Sequence, residues 1–367
     1  MEGPRPVTNR DRASLGQLVD RVLRSDTAGA MFREYPTVFN EENAHNCLVM
    51  VDDGRVVTHV GMTLRWASIA GCTVRVACIA SVATDEAYRN RGLASKVFAA
   101  ACDKALAEGA DFMMISGGRS LYRRVGAVDV GRDLIGTVDL ATAKALHDRS
   151  IHIDDFRESD LDACAALYDT RVARFVRPLD DWQWLVRSRS VMSQEVDINI
   201  ARRKGAACGY FITGKKSKEG VKEVIEFAGG DSVIAGALKS MLALSASRAV
   251  KMRLQQGDTA LKALLESAGV LLKPEKTMGT LLLINFPQLM ARLKPWFEQR
   301  LGIARAKTLS FKQEGERFLF AAGDNAAALN RGEAATAIFG YPEKPLLTGV
   351  LAEVFPCPTL YYGANYV

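Results

Sequence analysis

The segment from Thr73 to Val130 reads TVRVACIASVATDEAYRNRGLASKVFAAACDKALAEGADFMMISGGRSLYRRVGAVDV, an apolar run, a turn, a helical pattern and a second apolar run. Val74 to Ala83 consists mainly of β-branched and small residues, which predicts a buried strand. After the turn, apolar residues recur at helical spacing until Gly109, a residue type that commonly ends helices. Phe112 to Ile115 then predicts another strand. The segment therefore predicts strand, turn, helix and strand in succession.

The turn between the first strand and the helix has the composition of an anion-binding site. It contains Arg89, Arg91 and Gly92, and it precedes a helix N-terminus, where backbone N–H groups and the positive end of the helix dipole meet. Two arginines favour a diphosphate over a single carboxylate. Neither GxGxxG nor GxxxxGK[ST] follows the strand, so dinucleotide-binding and P-loop sites lack their main sequence support.

Residues 89–94 read Arg-x-x-Gly-x-Ala, which resembles the acyl-CoA diphosphate loop of the GNAT acyltransferase superfamily. Leu121 to Gly126 resembles the family's tyrosine-containing segment, although Ala127 stands where the family usually has an aromatic residue. Read alone, the turn is an ordinary surface turn with solvated arginines; the adjoining elements favour a cofactor site. The resemblance implies that acetyl-CoA binds to one strand and one loop, at Val82, Ala83, Thr84, Arg89, Asn90, Arg91, Gly92, Leu93, Ala94 and Ser95.

The resemblance also implies two groups that move protons. Tyr122 is the expected general acid for the departing CoA thiolate, because a phenol stays protonated at neutral pH; the alternative is a core tyrosine with a hydrogen-bonded hydroxyl. In Eis-like (enhanced intracellular survival) acetyltransferases the base is the terminal carboxylate of the chain, which here belongs to Val367. Glu34 and a chain of water molecules are the alternatives.

At 367 residues the chain is long enough for two or three domains. Ile135 to Val138 is predicted to close the first sheet, and the order of strands and helices then repeats without a second Arg-x-x-Gly-x-Ala. We therefore expect an α+β fold with mixed, mostly antiparallel sheets. It would consist of a GNAT domain at 1–150, a second GNAT-like domain without a cofactor loop at 151–285, and a third domain at 286–367.

The C-terminal part resembles the sterol-carrier-like domain that follows two GNAT units in Eis-like proteins. Its patterns predict a strand from Arg317 to Ala321 and helices near Asn325 to Asn330 and from Glu333 to Phe339. After Pro287 the pattern predicts an amphipathic helix through Leu289, Leu293 and Phe297, although Pro295 argues against a straight helix. A lipid ligand does not follow from this resemblance.

The composition is that of an ordinary globular protein, with 48% hydrophobic and 25% charged residues and a net charge of +6. No basic stripe with interleaved aromatic residues occurs, so we expect no nucleic-acid partner. The N-terminus lacks an apolar leader and no stretch is long enough to cross a bilayer, which predicts a soluble, cytoplasmic protein without a membrane partner. Seven scattered cysteines and four histidines show no metal-binding spacing, so no metal is expected.

The first helices of the chain are expected to form one wall of the acceptor cleft, by resemblance to GNAT proteins. The residues concerned are Arg33, Glu34, Tyr35, Phe39 and Glu41, which could equally be capping and surface residues. Two functions follow from the sequence. One is an N-acetyltransferase acting on an amine-bearing small molecule or peptide, and the other is a non-catalytic acyl-CoA sensor or scaffold. The resemblance further implies a homo-oligomer.

Overall fold

The computed structural model describes residues 1–277 and 279–365. These residues form two compact units, each built from two separate parts of the chain. The first unit contains residues 1–130 and 279–357, and the second contains residues 131–277 and 358–365. Each is a mixed α/β structure, as the α+β prediction requires.

The strands of the described residues are, in chain order, β1 (Glu2–Pro6), β2 (Cys47–Asp52), β3 (Arg55–Ile69), β4 (Cys72–Thr84), β5 (Phe112–Ile115), β6 (Asp133–Asp139), β7 (Ile151–Asp155), β8 (Ala173–Phe175), β9 (Ser190–Val191), β10 (Gln194–Arg203), β11 (Ala206–Lys216), β12 (Val221–Gly229), β13 (Ala249–Leu254), β14 (Lys273–Glu275), β15 (Thr280–Leu283), β16 (Leu309–Glu314), β17 (Arg317–Ala322) and β18 (Asn325–Leu329).

The α-helices of the same residues are α1 (Arg12–Leu23), α2 (Ala30–Glu34), α3 (Pro36–Phe39), α4 (Leu93–Ala107), α5 (Ser120–Arg123), α6 (Leu140–Ala145), α7 (Leu161–Tyr168), α8 (Leu179–Ser188), α9 (Asp231–Leu244), α10 (Thr259–Ser267), α11 (Phe286–Arg292), α12 (Lys294–Leu301), α13 (Ile303–Ala306), α14 (Arg331–Phe339) and α15 (Val350–Val354). None of these helices is long and apolar enough to cross a membrane.

The two units repeat one arrangement of strands. In the first, β2, β3 and β4 are antiparallel neighbours, and β4 then pairs in parallel with β5 after the intervening helix α4. In the second, β10, β11 and β12 are antiparallel neighbours, and β12 pairs in parallel with β13 after helix α9. Parallel neighbours need a crossover connection, and each helix supplies one. The predicted internal repeat is therefore confirmed.

The strand that lies at the edge of the first sheet is not the one predicted from the sequence. The segment from Ile135 to Val138, expected to close the first sheet, lies in β6 and pairs with β13 in the second unit. The free edge of β5 is occupied instead by β15, whose Thr280 lies opposite Ile115. The expected limits at residues 150 and 285 therefore do not coincide with the limits of the two compact units. That residues 286–367 form a separate sterol-carrier-like domain stays a prediction.

Two helix predictions for the C-terminal part differ from the structure. Asn325–Leu329 is the strand β18, which forms a hairpin with β17 across Gly323, whose φ of 58° lies in the left-handed region that favours glycine. The alanine-rich sequence favours a helix, but here the backbone hydrogen bonds are formed with β17 instead. The single helix expected after Pro287 is instead two helices, because α11 ends at Arg292 and α12 begins with Pro295 in its first turn.

The hairpin that leads into the cofactor strand follows the predicted turn chemistry. Asp53 and Gly54 have φ values of 47° and 70°, as a two-residue hairpin turn between β2 and β3 requires. The core of this sheet packs against α4, whose inward side chains include Val97, Phe98 and Ala101. The predicted strand β4 and helix α4 therefore share one layer of buried side chains.

Candidate active site

The central strand β4 has an open edge at its C-terminal end. It pairs with β5 only from Val76 to Ile79, whereas the strand continues to Thr84. Val82 to Thr84 still pair with β3 on the other side, so their second edge has no strand partner within the described residues. Main-chain donors and acceptors along that edge are available to an extended ligand.

The turn that follows β4 leaves its backbone amides unused. The six consecutive N–H groups from Asn90 to Ser95 donate to no other described residue, and the first helical bond runs from Lys96 N–H to the Gly92 carbonyl. The α4 N-terminus has no side-chain cap. These groups and the helix dipole form an anion-binding site in the predicted position.

Gly92 shapes this turn in two ways. Its φ is 72°, in the left-handed region that favours glycine, and a β-carbon there would have no heavy atom within 4 Å. The space in front of the backbone is therefore open. Asn90 also has a positive φ, 63°, a conformation that asparagine adopts more readily than most residues.

The two arginines of the turn have different surroundings. Arg89 is exposed and lies 3.5 Å from Glu86, an exposed pair that contributes little to stability. Arg91 lies over the ring of Tyr88 at 4.8 Å, and the Tyr88 hydroxyl donates to Asp52 at 2.9 Å. Stacking places the Arg91 charge beside the free amides, where it can add to anion binding.

Tyr122 lies in the short helix α5 and is 4% exposed. Its ring contacts Phe98 of α4, with centroids 5.2 Å apart. Its hydroxyl forms no hydrogen bond to any described residue and is not among the fully enclosed polar atoms that lack a partner. The hydroxyl therefore has no structural hydrogen bond and is not fully enclosed by protein atoms. This disfavours the alternative of a core tyrosine with a hydrogen-bonded hydroxyl.

Burial raises the pKa of Tyr122, and the positive charge of Arg119 partly offsets this effect. The phenol therefore remains protonated throughout the neutral pH range. Ala127, which replaces the aromatic residue expected in the family, is 1% exposed and packs in the same core as Tyr122. A small side chain at that position fits beside the tyrosine.

Three of the five residues expected in the acceptor wall are already engaged in contacts with other residues of the first unit or are buried. Glu34 accepts a hydrogen bond from Arg24 at 2.5 Å, which ties its carboxylate to a cation. Tyr35 and Phe39 are 8% and 4% exposed, and Phe39 stacks on Phe32 at 4.7 Å. Of the five residues named from the sequence, only Arg33 and Glu41 are exposed.

A buried histidine and serine pair, which the sequence analysis did not predict, lies next to the cofactor strand. His59 Nε2 lies 3.0 Å from Ser81 Oγ, and the two residues are 0% and 2% exposed. Burial lowers the pKa of His59 to about 3, so its ring is neutral. The pair lies where the β3–β4 register shifts between Val60 and Met62, immediately before the open edge.

Gly61 makes this pair sterically feasible. A β-carbon at residue 61 would lie 2.6 Å from Ser81 Oγ and 2.9 Å from His59 Nε2. We expect Gly61→Ala to lower the free energy of unfolding by about 1–3 kcal/mol, measured by urea denaturation, because both side chains must move. The control is Gly16→Ala in α1, where the β-carbon would lie 3.7 Å from Phe32 and alanine should raise stability. Equal free energies of unfolding for wild type and Gly61→Ala would show that the His59 and Ser81 side chains can move at no cost.

The terminal carboxylate of Val367 lies outside the described residues. The described residues also contain no group of three or more histidine, cysteine, aspartate or glutamate side chains that could hold a metal ion. The candidate active site therefore consists of the open β4 edge, the free amides before α4 and the hydroxyl of Tyr122.

Comparison with known proteins agrees with this geometry. Residues 4–128 match the family model described as acetyltransferase (GNAT) domain. No curated protein matches the sequence significantly.

Solved structures share the fold along nearly the whole chain. A GCN5-related N-acetyltransferase from Kribbella flavida is 17% identical, with 97% of each chain covered and a TM-score of 0.68. A conserved protein from Enterococcus faecalis V583, described as a probable N-acyltransferase, is 12% identical, with 92% of this chain and 89% of that chain covered and a TM-score of 0.66. Eis1 from Mycobacterium abscessus is 11% identical, with 96% of each chain covered and a TM-score of 0.62. Residues 4–128 thus match a GNAT acetyltransferase domain, and the fold of the chain is similar to that of Eis1.

Proposed function

We propose that the protein transfers an acetyl group from acetyl-CoA to a primary amine by direct transfer. The observation that carries the proposal is the row of six unused amides from Asn90 to Ser95, which follows an open strand edge. A helix N-terminus of this kind suits the diphosphate of CoA. We further expect the acceptor to be an amine-bearing small molecule or peptide, and the protein to be a cytoplasmic homo-oligomer.

The strand supplies the second part of the donor site. Main-chain groups of Val82, Ala83 and Thr84 hold the pantetheine arm, and one N–H group polarises the thioester carbonyl. The loop from Arg89 to Ser95 binds the diphosphate through its backbone, with the Arg91 charge adding to the attraction. Fixing both ends of the donor places its thioester at one point, which lowers the entropic part of the barrier.

The chemistry needs one proton removed and one supplied. The amine nitrogen forms a bond to the carbonyl carbon, and the carbon–sulfur bond breaks. The proton of the amine passes to a base, for which we propose the terminal carboxylate of Val367. The Tyr122 hydroxyl gives its proton to the departing thiolate and regains one from solvent. Glu34 is less suited as the base, since Arg24 already holds its carboxylate.

The proposal is tested with a panel of amines assayed for CoA release from acetyl-CoA. The panel should include small polyamines, aminoglycosides, peptides with a free N-terminus and peptides with an internal lysine. We expect at least one class to support turnover and to yield the acetylated amine by mass spectrometry. Binding of acetyl-CoA without turnover on any class would contradict the proposal and favour a sensor.

The pH dependence should identify the acid. An acid acts only while protonated, so activity is lost as the pH rises through its pKa. Burial raises the pKa of Tyr122 from its ordinary value of 10.0, so this group should cause no loss of kcat below about pH 10. The measurement is kcat from about pH 7 to 10 with saturating substrates. A descending limb centred below about pH 9 would assign the acid to another group.

A further inference from the structure

Strand β4 contains one extra residue at the point where it leaves β5. Its other neighbour, β3, pairs Val60 with Val82 and Met62 with Ile79. One residue of β3 therefore faces two residues of β4, at positions 80–81, which is the arrangement of a β-bulge. The last pair between β4 and β5 is formed by the same Ile79. The open edge of the candidate active site thus begins at the bulge.

The bulge decides which face of the sheet each following side chain occupies. In the bulged register Val82 lies opposite Val60, and both belong to the apolar core that β3 and β4 share with α4. In a ladder that continued without a bulge from the pair Met62–Ile79, Ser81 would lie opposite Val60 instead. Its hydroxyl would then be buried in an apolar layer without a hydrogen-bond partner, which costs free energy. The serine thus favours the bulged register.

The bulge also places Ser81 beside His59. The two residues are diagonal neighbours across the strands, because His59 pairs with Ala83. Ser81 Oγ and His59 Nε2, 3.0 Å apart, share a hydrogen bond, and the serine hydroxyl has no other such partner in the part of the chain that the structure describes. The ring of His59 also lies against Phe39 of α3, with ring centroids 5.8 Å apart. The hydrogen bond therefore ties the bulge to a ring that is packed on a second element.

We propose that His59 and Ser81 are positioning residues for the donor site. Their hydrogen bond holds the bulge at residues 80–81 and thereby keeps the main-chain groups of Val82 to Thr84 directed to the open edge, where they bind the pantetheine arm of acyl-CoA. The hold on the bulge stands on contacts within the first unit. Its consequence for the donor rests on the proposed function.

The first test needs no ligand and uses the full chain. Ser81→Ala removes the hydroxyl, and hydrogen exchange of the backbone amides is compared with wild type. We expect exchange to accelerate about 3- to 10-fold in segment 80–84, the effect of one lost hydrogen bond, and less than twofold in segment 74–79 of the same strand. Equal exchange in wild type and Ser81→Ala would overturn the hold on the bulge. Equal acceleration in both segments would overturn it too, because it would report only a general loss of stability.

The control for this test is Ser68→Ala, which makes the same chemical change near the far end of β3, opposite Thr73. The Ser68 hydroxyl forms no hydrogen bond to a described residue. Exchange in segment 80–84 should therefore stay within about twofold of wild type. An acceleration equal to that of Ser81→Ala would show that the effect is not specific to the bulge and would overturn the proposal.

The second test asks whether the bulge serves the donor. Isothermal titration compares acetyl-CoA with its nucleotide part, adenosine 3′-phosphate 5′-diphosphate, which retains the diphosphate for residues 90–95 but lacks the pantetheine arm. We expect Ser81→Ala to weaken binding of acetyl-CoA about 5- to 10-fold and to leave binding of the nucleotide within about twofold. Equal weakening of both ligands would overturn the positioning role, because it would not depend on the strand edge.

A double variant separates positioning from stability. His59→Leu combined with Ser81→Ala replaces both polar partners by apolar groups, so the thermal stability should be higher than that of Ser81→Ala alone. Acetyl-CoA binding should remain 5- to 10-fold weaker than in wild type, because no hydrogen bond holds the bulge. Recovery of affinity together with stability would overturn the positioning role.

The two levels of the proposal can fail separately. If the unmutated protein binds no acetyl-CoA, the proposed function and the positioning role both fail. The exchange rates of Ser81→Ala still decide in that case whether the pair holds the bulge.

Discussion

Tyr122→Phe is expected to lower kcat by about 10²- to 10⁴-fold, the range typical of losing one positioned proton donor. Phenylalanine retains the ring contact with Phe98 and removes a hydroxyl that bonds to no described residue. Folding stability and acetyl-CoA affinity should therefore remain within about twofold of wild type. Steady-state kinetics, isothermal titration with acetyl-CoA and thermal unfolding measure the three quantities.

The control for this variant is Tyr341→Phe, which makes the same chemical change at an exposed tyrosine that the candidate site does not include. It should leave kcat within about twofold of wild type. Retention of more than about a tenth of wild-type kcat in Tyr122→Phe would contradict the assignment of Tyr122 as the acid. A joint loss of kcat and stability would indicate a structural role instead.

Ser95→Asp should separate the two consequences of charge at the N-terminus of α4. Ser95 occupies the third helical position, where an aspartate favours the helix by about 0.3–1 kcal/mol through the dipole. The same carboxylate would repel a diphosphate bound to the free amides. We therefore expect the KM for acetyl-CoA to rise about 10- to 100-fold while thermal stability stays equal or increases.

Ser95→Ala is the matched control, because it removes the hydroxyl without adding a charge. Its KM should remain within about twofold of wild type, since the proposed contact is made by the backbone. Raising the salt concentration should reduce the difference in the KM for acetyl-CoA between Ser95→Asp and Ser95→Ala, because salt screens an exposed charge. An unchanged KM in Ser95→Asp would place the diphosphate elsewhere.

Local sequence signals predicted the elements that carry the candidate site. The apolar run before Thr84, the turn at Gly92 and the periodicity of α4 each depend on neighbouring residues, and all three lie where expected. The unused amides follow from the helix start itself, because the first amides of any helix lack internal partners.

Features that depend on distant residues were not predictable in the same way. β6 pairs with β13 in the second unit and β15 pairs with β5 in the first, and in both cases the partner is more than 100 positions away. The periodicity of a sequence contains no information about such distant pairing. The His59 and Ser81 pair is recognisable only once the register of β3 and β4 is known. The hydrogen bonds from Arg177 to Glu226 and Asn365 likewise link residues that are far apart in the sequence. A lone arginine before a proline carries no such signal in the sequence.

Hydrogen exchange of the backbone amides on addition of acetyl-CoA tests the central claim most directly. The account predicts that exchange slows in the segment 90–96, where the free amides of the first unit would bind the diphosphate. The corresponding segment 230–235 of the second unit, which begins α9 with Asp231, should show no change. Protection absent from 90–96, or equal in both segments, would contradict the account.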